Sequence, residues 1–149
     1  MGQLVDVDAA AWPLVIVRIG EKLDVAAIDT FVQGIDTVLE RKAKFVTIID
    51  TTALSRLPNA IERRRLIEQM NRRTFAEKAY NLGNAVVIVS APARAVLTAV
   101  NWVRPPMTTQ HLVSNFAEAL EWCCGRLAAA GIGLSPPLQA LQVKYRTRT

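Results

Sequence analysis

Apolar and polar positions switch along the chain between a period of two and a period near four, and the switches mark out the elements. Residues 3–7 (QLVDV) and 13–19 (PLVIVRI) are rich in Val, Leu and Ile and are parted by DAAAW, which predicts two strands of a hairpin closed by Gly20. From Val25 the period becomes helical. Val25, Ile28, Phe31, Val32, Ile35, Val38 and Leu39 form one stripe, Asp24 is placed to cap it, and Arg41-Lys42 suits its negative pole. KFVTIID (44–50) predicts a strand ending in an aspartate, followed by the polar loop TTALSRLP. Asn59 and Glu62 have capping-box spacing and open a helix predicted to reach about Ala79. Leu82-Gly83-Asn84 reads as a turn, and AVVIV (85–89) as a central strand buried on both faces. Ser90 caps a helix with Ala93, Val96, Leu97 and Val100 facing inward, which Pro105-Pro106 stop. A short strand is expected near Thr109–Val113. Asn115 and Glu118 then repeat the capping-box spacing before a helix that buries Phe116, Ala119, Leu120, Cys123, Leu127 and Ala130. Gly131 and Gly133 end that helix, and Pro136-Pro137 begin a stretch with little periodicity.

The order β-β-α-β-α-β-α-β-α implies parallel crossovers and a sheet covered by helices. The expected fold is therefore α/β: a mixed, mostly parallel sheet of about five strands flanked by about four helices. A chain of 149 residues, 51% of them hydrophobic, suits one domain, expected over residues 1–130, with 131–149 as a flexible basic tail. No apolar run reaches the roughly 18 to 20 residues that span a bilayer. The opening MGQLVDVDAA lacks the basic and apolar regions of a secretory signal, and the only two cysteines, Cys123 and Cys124, are adjacent, unsuited to a disulfide framework. A reducing cytoplasm is the expected compartment. The formal charge of +5 owes three units to Lys144, Arg146 and Arg148 in the tail, so it argues little for nucleic acid.

The succession WPLVIVRIGEKLD, FVTIID, NAIERRRLIEQMNRR, AVVIVSAPARAVLTAV and NFAEALEW resembles the SpoIIAA-like class, which includes the STAS domains. The likeness spans roughly Trp12 to Ala130. It implies a non-enzymatic module that docks to partner proteins, dimerises, or holds a small or lipid-like ligand. In anti-sigma-factor antagonists of this class a DSxG-like motif after the aspartate-ended strand carries a phosphorylated serine. Here that region reads DTTALSRLPNA, with Asn59 at the cap and no DSxG, so the phosphoswitch does not carry over.

Chemistry-bearing residues are sparse. His111 is the only histidine, which excludes sites needing two, and no metal or cofactor is expected. There is no glycine-rich phosphate loop and no GxSxG elbow, so no catalytic residue is assigned. Asp50 ends a strand, where open α/β sheets bind ligands, with Thr51, Thr52, Ser55 and Arg56 following it. It has two readings: a contact for a polar ligand or partner, or an acceptor for the backbone of its own loop. The helix after it carries Arg63, Arg64, Arg65, Arg72 and Arg73, either a solvated face with internal ion pairs or a dock for an acidic partner. Too few aromatics interleave with them for a base-stacking surface, so nucleic acid is not expected. Trp102 packs in the core or forms part of a contact with a partner or a second copy of the chain.

Together these residues predict a regulatory protein-interaction module. Its expected contact surface comprises Asp50, Thr51, Thr52, Ser55, Arg56, Arg64, Arg72 and Trp102. The alternative is a binder of a small apolar or lipid-like ligand between sheet and helices; an enzyme ranks third.

Overall fold

A computed structural model describes residues 5–106 and 108–146. The first strand, β1 (Val5–Asp8), pairs antiparallel with β2 (Leu14–Ile19), as a hairpin should; residues 3 and 4 of the expected strand lie outside the described residues. The bend between them holds a cis Trp12–Pro13 bond. β2 then pairs in parallel with β3 (Phe45–Asp50), β3 with β4 (Asn81–Val87), and β4 with β5 (Gln110–Val113). The sheet order is thus β1-β2-β3-β4-β5, mixed and mostly parallel as expected.

Strand alternation divides the core in two. Leu14, Ile16, Val46, Ile48, Ala85 and Val87 point to one face, which is covered by α5 (Phe116–Ala129) and α6 (Pro136–Arg146). Val15, Val17, Ile19 and Phe45 point to the other, where Ile28, Phe31, Val32, Ile35 and Val38 of α1 (Val25–Leu39) pack on them. Leu66 and Met70 of α2 (Ala60–Asn71) and Ala76 of α3 (Thr74–Tyr80) extend that second layer. It ends at α4 (Ala91–Val103), whose Ala93 meets Val86 and Ile88.

Four expectations need correction. The helix expected from Asn59 to Ala79 breaks at Arg72 and Arg73, whose guanidinium turns back to Gln69 and across to Asp36. α1 stops at Leu39, because Lys42 adopts a left-handed φ of 51°, and the Arg41 guanidinium lies 4.3 Å over the Trp12 ring. Leu82-Gly83-Asn84 is no turn but an irregularity inside β4. Phe45 pairs with Asn81 and Thr47 with Asn84, so β4 advances three residues where β3 advances two.

The fourth concerns the expected flexible stretch after 131. Pro136 and Pro137 occupy the first turn of α6, where a missing N–H is harmless, and the Ser135 hydroxyl accepts from the Leu138 amide at 3.4 Å. Leu138 is fully buried in the same cluster as Cys123 and Leu127. The described residues therefore form six helices rather than about four. No described helix is long and apolar enough to cross a membrane.

Candidate functional site

The loop after β3 lies at the carboxyl ends of the parallel strands, and its polar groups are engaged within the chain. The Asp50 carboxylate accepts the Thr52 amide at 2.9 Å, the local turn that aspartate favours. The Thr51 amide and hydroxyl both donate to the Val87 carbonyl, at 3.1 and 2.7 Å, pinning the loop to β4. The Ser55 and Arg56 amides donate to the Glu21 carbonyl at 2.9 and 3.0 Å, as does the Ser55 hydroxyl at 3.4 Å. Arg56 reaches Glu62 at 2.8 Å, and the other oxygen of Glu62 accepts the Asn59 amide, completing the expected capping box. The Arg56 hydrogen bond, then the Asn59 amide, hold the Glu62 carboxyl below its ordinary pKa. The Asp50–Thr52 bond shapes the loop itself.

The arginines of the second layer divide by direction. Arg65 grips Asp29 of α1 at 2.8 and 3.2 Å, and Arg73 grips Asp36 at 2.6 and 2.8 Å. These two forks stitch α2 and its exit to α1. Arg64 and Arg72 are exposed and make no ion pair among the described residues. Beyond them, Arg104 at the end of α4 donates to Asn71 at 2.8 Å and to Thr74 at 3.2 Å. Within three residues of this tie stand the most exposed aromatic side chains of the described chain, Phe75 (90%) and Trp102 (85%), together with Val103. Trp102 is therefore surface rather than core.

A cleft that no residue motif announced lies between α2 and α4, over β3 and β4. Only Ala93 of α4 is buried, because the stripe Val96, Leu97 and Val100 faces Leu66 across open space rather than a packed neighbour. The cleft has two adjoining lobes of about 170 Å³ each, sharing Phe31, Ile49, Leu66, Leu97, Val100 and Gln110. The upper lobe is almost wholly apolar; the lower adds Glu77, Asn84, Asn101, Arg104 and Thr108. Glu77 is buried, and its Oε2 accepts the Asn81 side-chain amide at 2.8 Å. Burial raises its pKa above the ordinary carboxylate value; the Asn81 hydrogen bond and the Arg104 charge oppose the rise.

His111 is engaged by a neighbouring ring. Its ring stacks on Trp122 at 5.3 Å and 13°, and β4 separates it from β3, which carries Asp50. Both cysteines are buried, form no disulfide, and the Cys123 thiol is pushed up to about 12, chiefly by burial. No group of three metal-ligating side chains gathers among the described residues.

No family model and no curated protein matches the chain. Solved structures do. The anti-sigma factor antagonist SpoIIAA in its unphosphorylated form superposes with a TM-score of 0.57 at 16% identity, over 81% of this chain and 98% of that one. The phosphorylated form of SpoIIAA, the Bacillus cell fate determinant, gives 0.51 at 15%, over 79% and 97%. An uncharacterized DUF3478-family protein with a SpoIIAA-like fold, from Shewanella loihica PV-4, gives 0.56 at 14%, over 80% and 92%. The chain has a SpoIIAA-like fold.

Proposed function

We propose that this protein is a non-enzymatic, cytoplasmic regulatory module that works by docking to a partner protein through the outer side of α2, α3 and the end of α4. The carrying observation is the division of the arginines. Those facing α1 are consumed by Asp29 and Asp36, while Arg64 and Arg72 keep their charge for something outside. Exposed aromatic and aliphatic groups beside them, Phe75, Trp102 and Val103, are the residue types that dominate interface energies. The likeness to an anti-sigma factor antagonist supports this reading, since that protein acts on another protein. The expected partner surface is acidic with an apolar centre. The Asp50–Arg56 segment (Asp50, Thr51, Thr52, Ser55, Arg56) serves as a rigid shelf at its edge, its hydrogen bonds being satisfied internally. Reversing the charge of Arg64 and Arg72 together is expected to leave the circular dichroism spectrum intact. It is also expected to abolish recovery of a native partner on immobilised protein. Undiminished recovery would move the contact elsewhere.

A second reading is favoured by a separate observation, the cleft between α2 and α4. Its apolar lobe of about 170 Å³ leaves Val96, Leu97 and Val100 facing open space, an apolar concavity of the kind that small ligands occupy. It suits a small, mostly apolar ligand that could set the position of α4 and hence of Trp102.

A further inference from the structure

We propose that the cleft between α2 and α4 holds a small amphipathic amine, its ammonium group set against Glu77 and its hydrocarbon body along Phe31, Ile49, Leu66, Leu97 and Val100. This inference rests on the ligand-binding reading above and adds the chemistry of the ligand. The size follows from the volume. Each lobe, at about 170 Å³, is comparable to an apolar cavity of about 150 Å³ that takes up one benzene molecule. A body of about six carbons fills the upper lobe and leaves the lower one for the head.

The head group follows from what lines the lower lobe. Glu77 is the only carboxylate on either lobe among the described residues. One of its oxygens accepts from Asn81, and Oε1 accepts no hydrogen bond among the described residues. Arg104 is the only cation on the lobes among the described residues, and its Nε and Nη2 are turned away from the head site to Asn71, Met70 and Thr74. A buried carboxylate in an apolar site gains most from a cation that replaces lost solvation, and an anionic head would meet the same charge there. With Arg104 bonded towards α2 and α3, a head seated on Glu77 meets the carboxylate first, and the proposal therefore places fatty acids below amines although the walls would suit their tails. Asn101 and Gln110, bonded to each other at 2.8 Å, and Asn84, which donates to the Thr108 hydroxyl at 3.2 Å, supply the remaining polar lining.

The test compares hexylamine, hexanol and hexanoate, one tail with three heads, by calorimetric titration of the full chain at neutral pH. Hexylamine is expected to bind at least tenfold tighter than the other two. Leu97→Trp, which fills the shared wall, should weaken it at least tenfold, and Glu77→Gln should erase its advantage over hexanol. Should Glu77→Gln fail to fold, the Asn81 side-chain amide of the unmodified protein is followed by NMR. A shift with hexylamine and none with hexanol supports the placement, and equal shifts overturn it. If all three probes bind alike, or hexanoate binds best, and Leu97→Trp removes binding, the cleft is a ligand site but the amine is wrong. If none binds, or Leu97→Trp changes nothing, the cleft reading and the amine fall together.

Discussion

The Cβ atom that Gly83 lacks would lie 2.6 Å from Cη2 of Trp122 and 3.2 Å from the Thr109 carbonyl oxygen. Gly83 is where β4 takes its extra residue, so the indole lies directly against bare backbone at the irregularity. The same ring is stacked by His111 on β5 and has the Arg126 guanidinium 5.7 Å from its centroid. Gly83→Ala is therefore expected to destabilise the fold by about 1–3 kcal/mol, the usual penalty for overpacking a closed site. Urea unfolding measures it. Trp122→Leu in the same chain should return part of the loss, and simple additivity of the two changes would rule out the clash as its cause.

The Arg73–Asp36 fork makes a different prediction. Arg73 is largely buried and holds both oxygens of Asp36, whose pKa is lowered first by that hydrogen bond. A lowered carboxyl contributes stability above its unfolded value and loses it as pH falls through the folded one. Asp36 is about half exposed (47%), so solvent screens the pair, and Asp36→Asn is expected to cost only about 1 kcal/mol at neutral pH. Unfolding curves of the two proteins should converge in acid. A gap that persists at pH 2 would show that the charge is not what stabilises the contact.

Glu77 has the opposite sign. Its carboxyl holds its proton more tightly in the folded chain than in the unfolded one, because burial disfavours the charge. The associated stability is complete below the unfolded value and is lost as pH rises through the folded one. Glu77→Gln keeps an oxygen for the Asn81 amide and removes the charge. It is expected to raise the melting temperature at pH 8 while leaving it unchanged at pH 4. Parallel melting profiles across that interval would mean that the carboxyl is solvated after all.

What was legible in the sequence was local. Asp24, Asn59, Ser90 and Asn115 each accept the backbone amide three residues on, as their spacing with the following turn requires. The strands, their succession along the chain and the mostly parallel pairing followed from alternation and from the helices between them. What was illegible depends on partners distant in the chain. The irregularity at Gly83 exists only relative to Phe45 and Thr47, and the division of the arginines exists only because Asp29 and Asp36 arrive on another helix. Pro136-Pro137 was ambiguous for another reason, since proline stops one helix and opens the next with equal ease. The cleft is an absence of packing between α2 and α4, and a pattern of residues records what is present.

The seat of Leu138 has a practical side. The glycines at 131 and 133 look like the natural place to trim the molecule or to attach a reporter, and a cut there discards a leucine wedged into the interior beside α5. Losing a side chain of that size from a closed interior commonly costs about 2–5 kcal/mol, a large part of a small domain's whole margin against unfolding. A shortened version that aggregates during purification would then reflect a missing piece of the interior, with no bearing on what the protein binds.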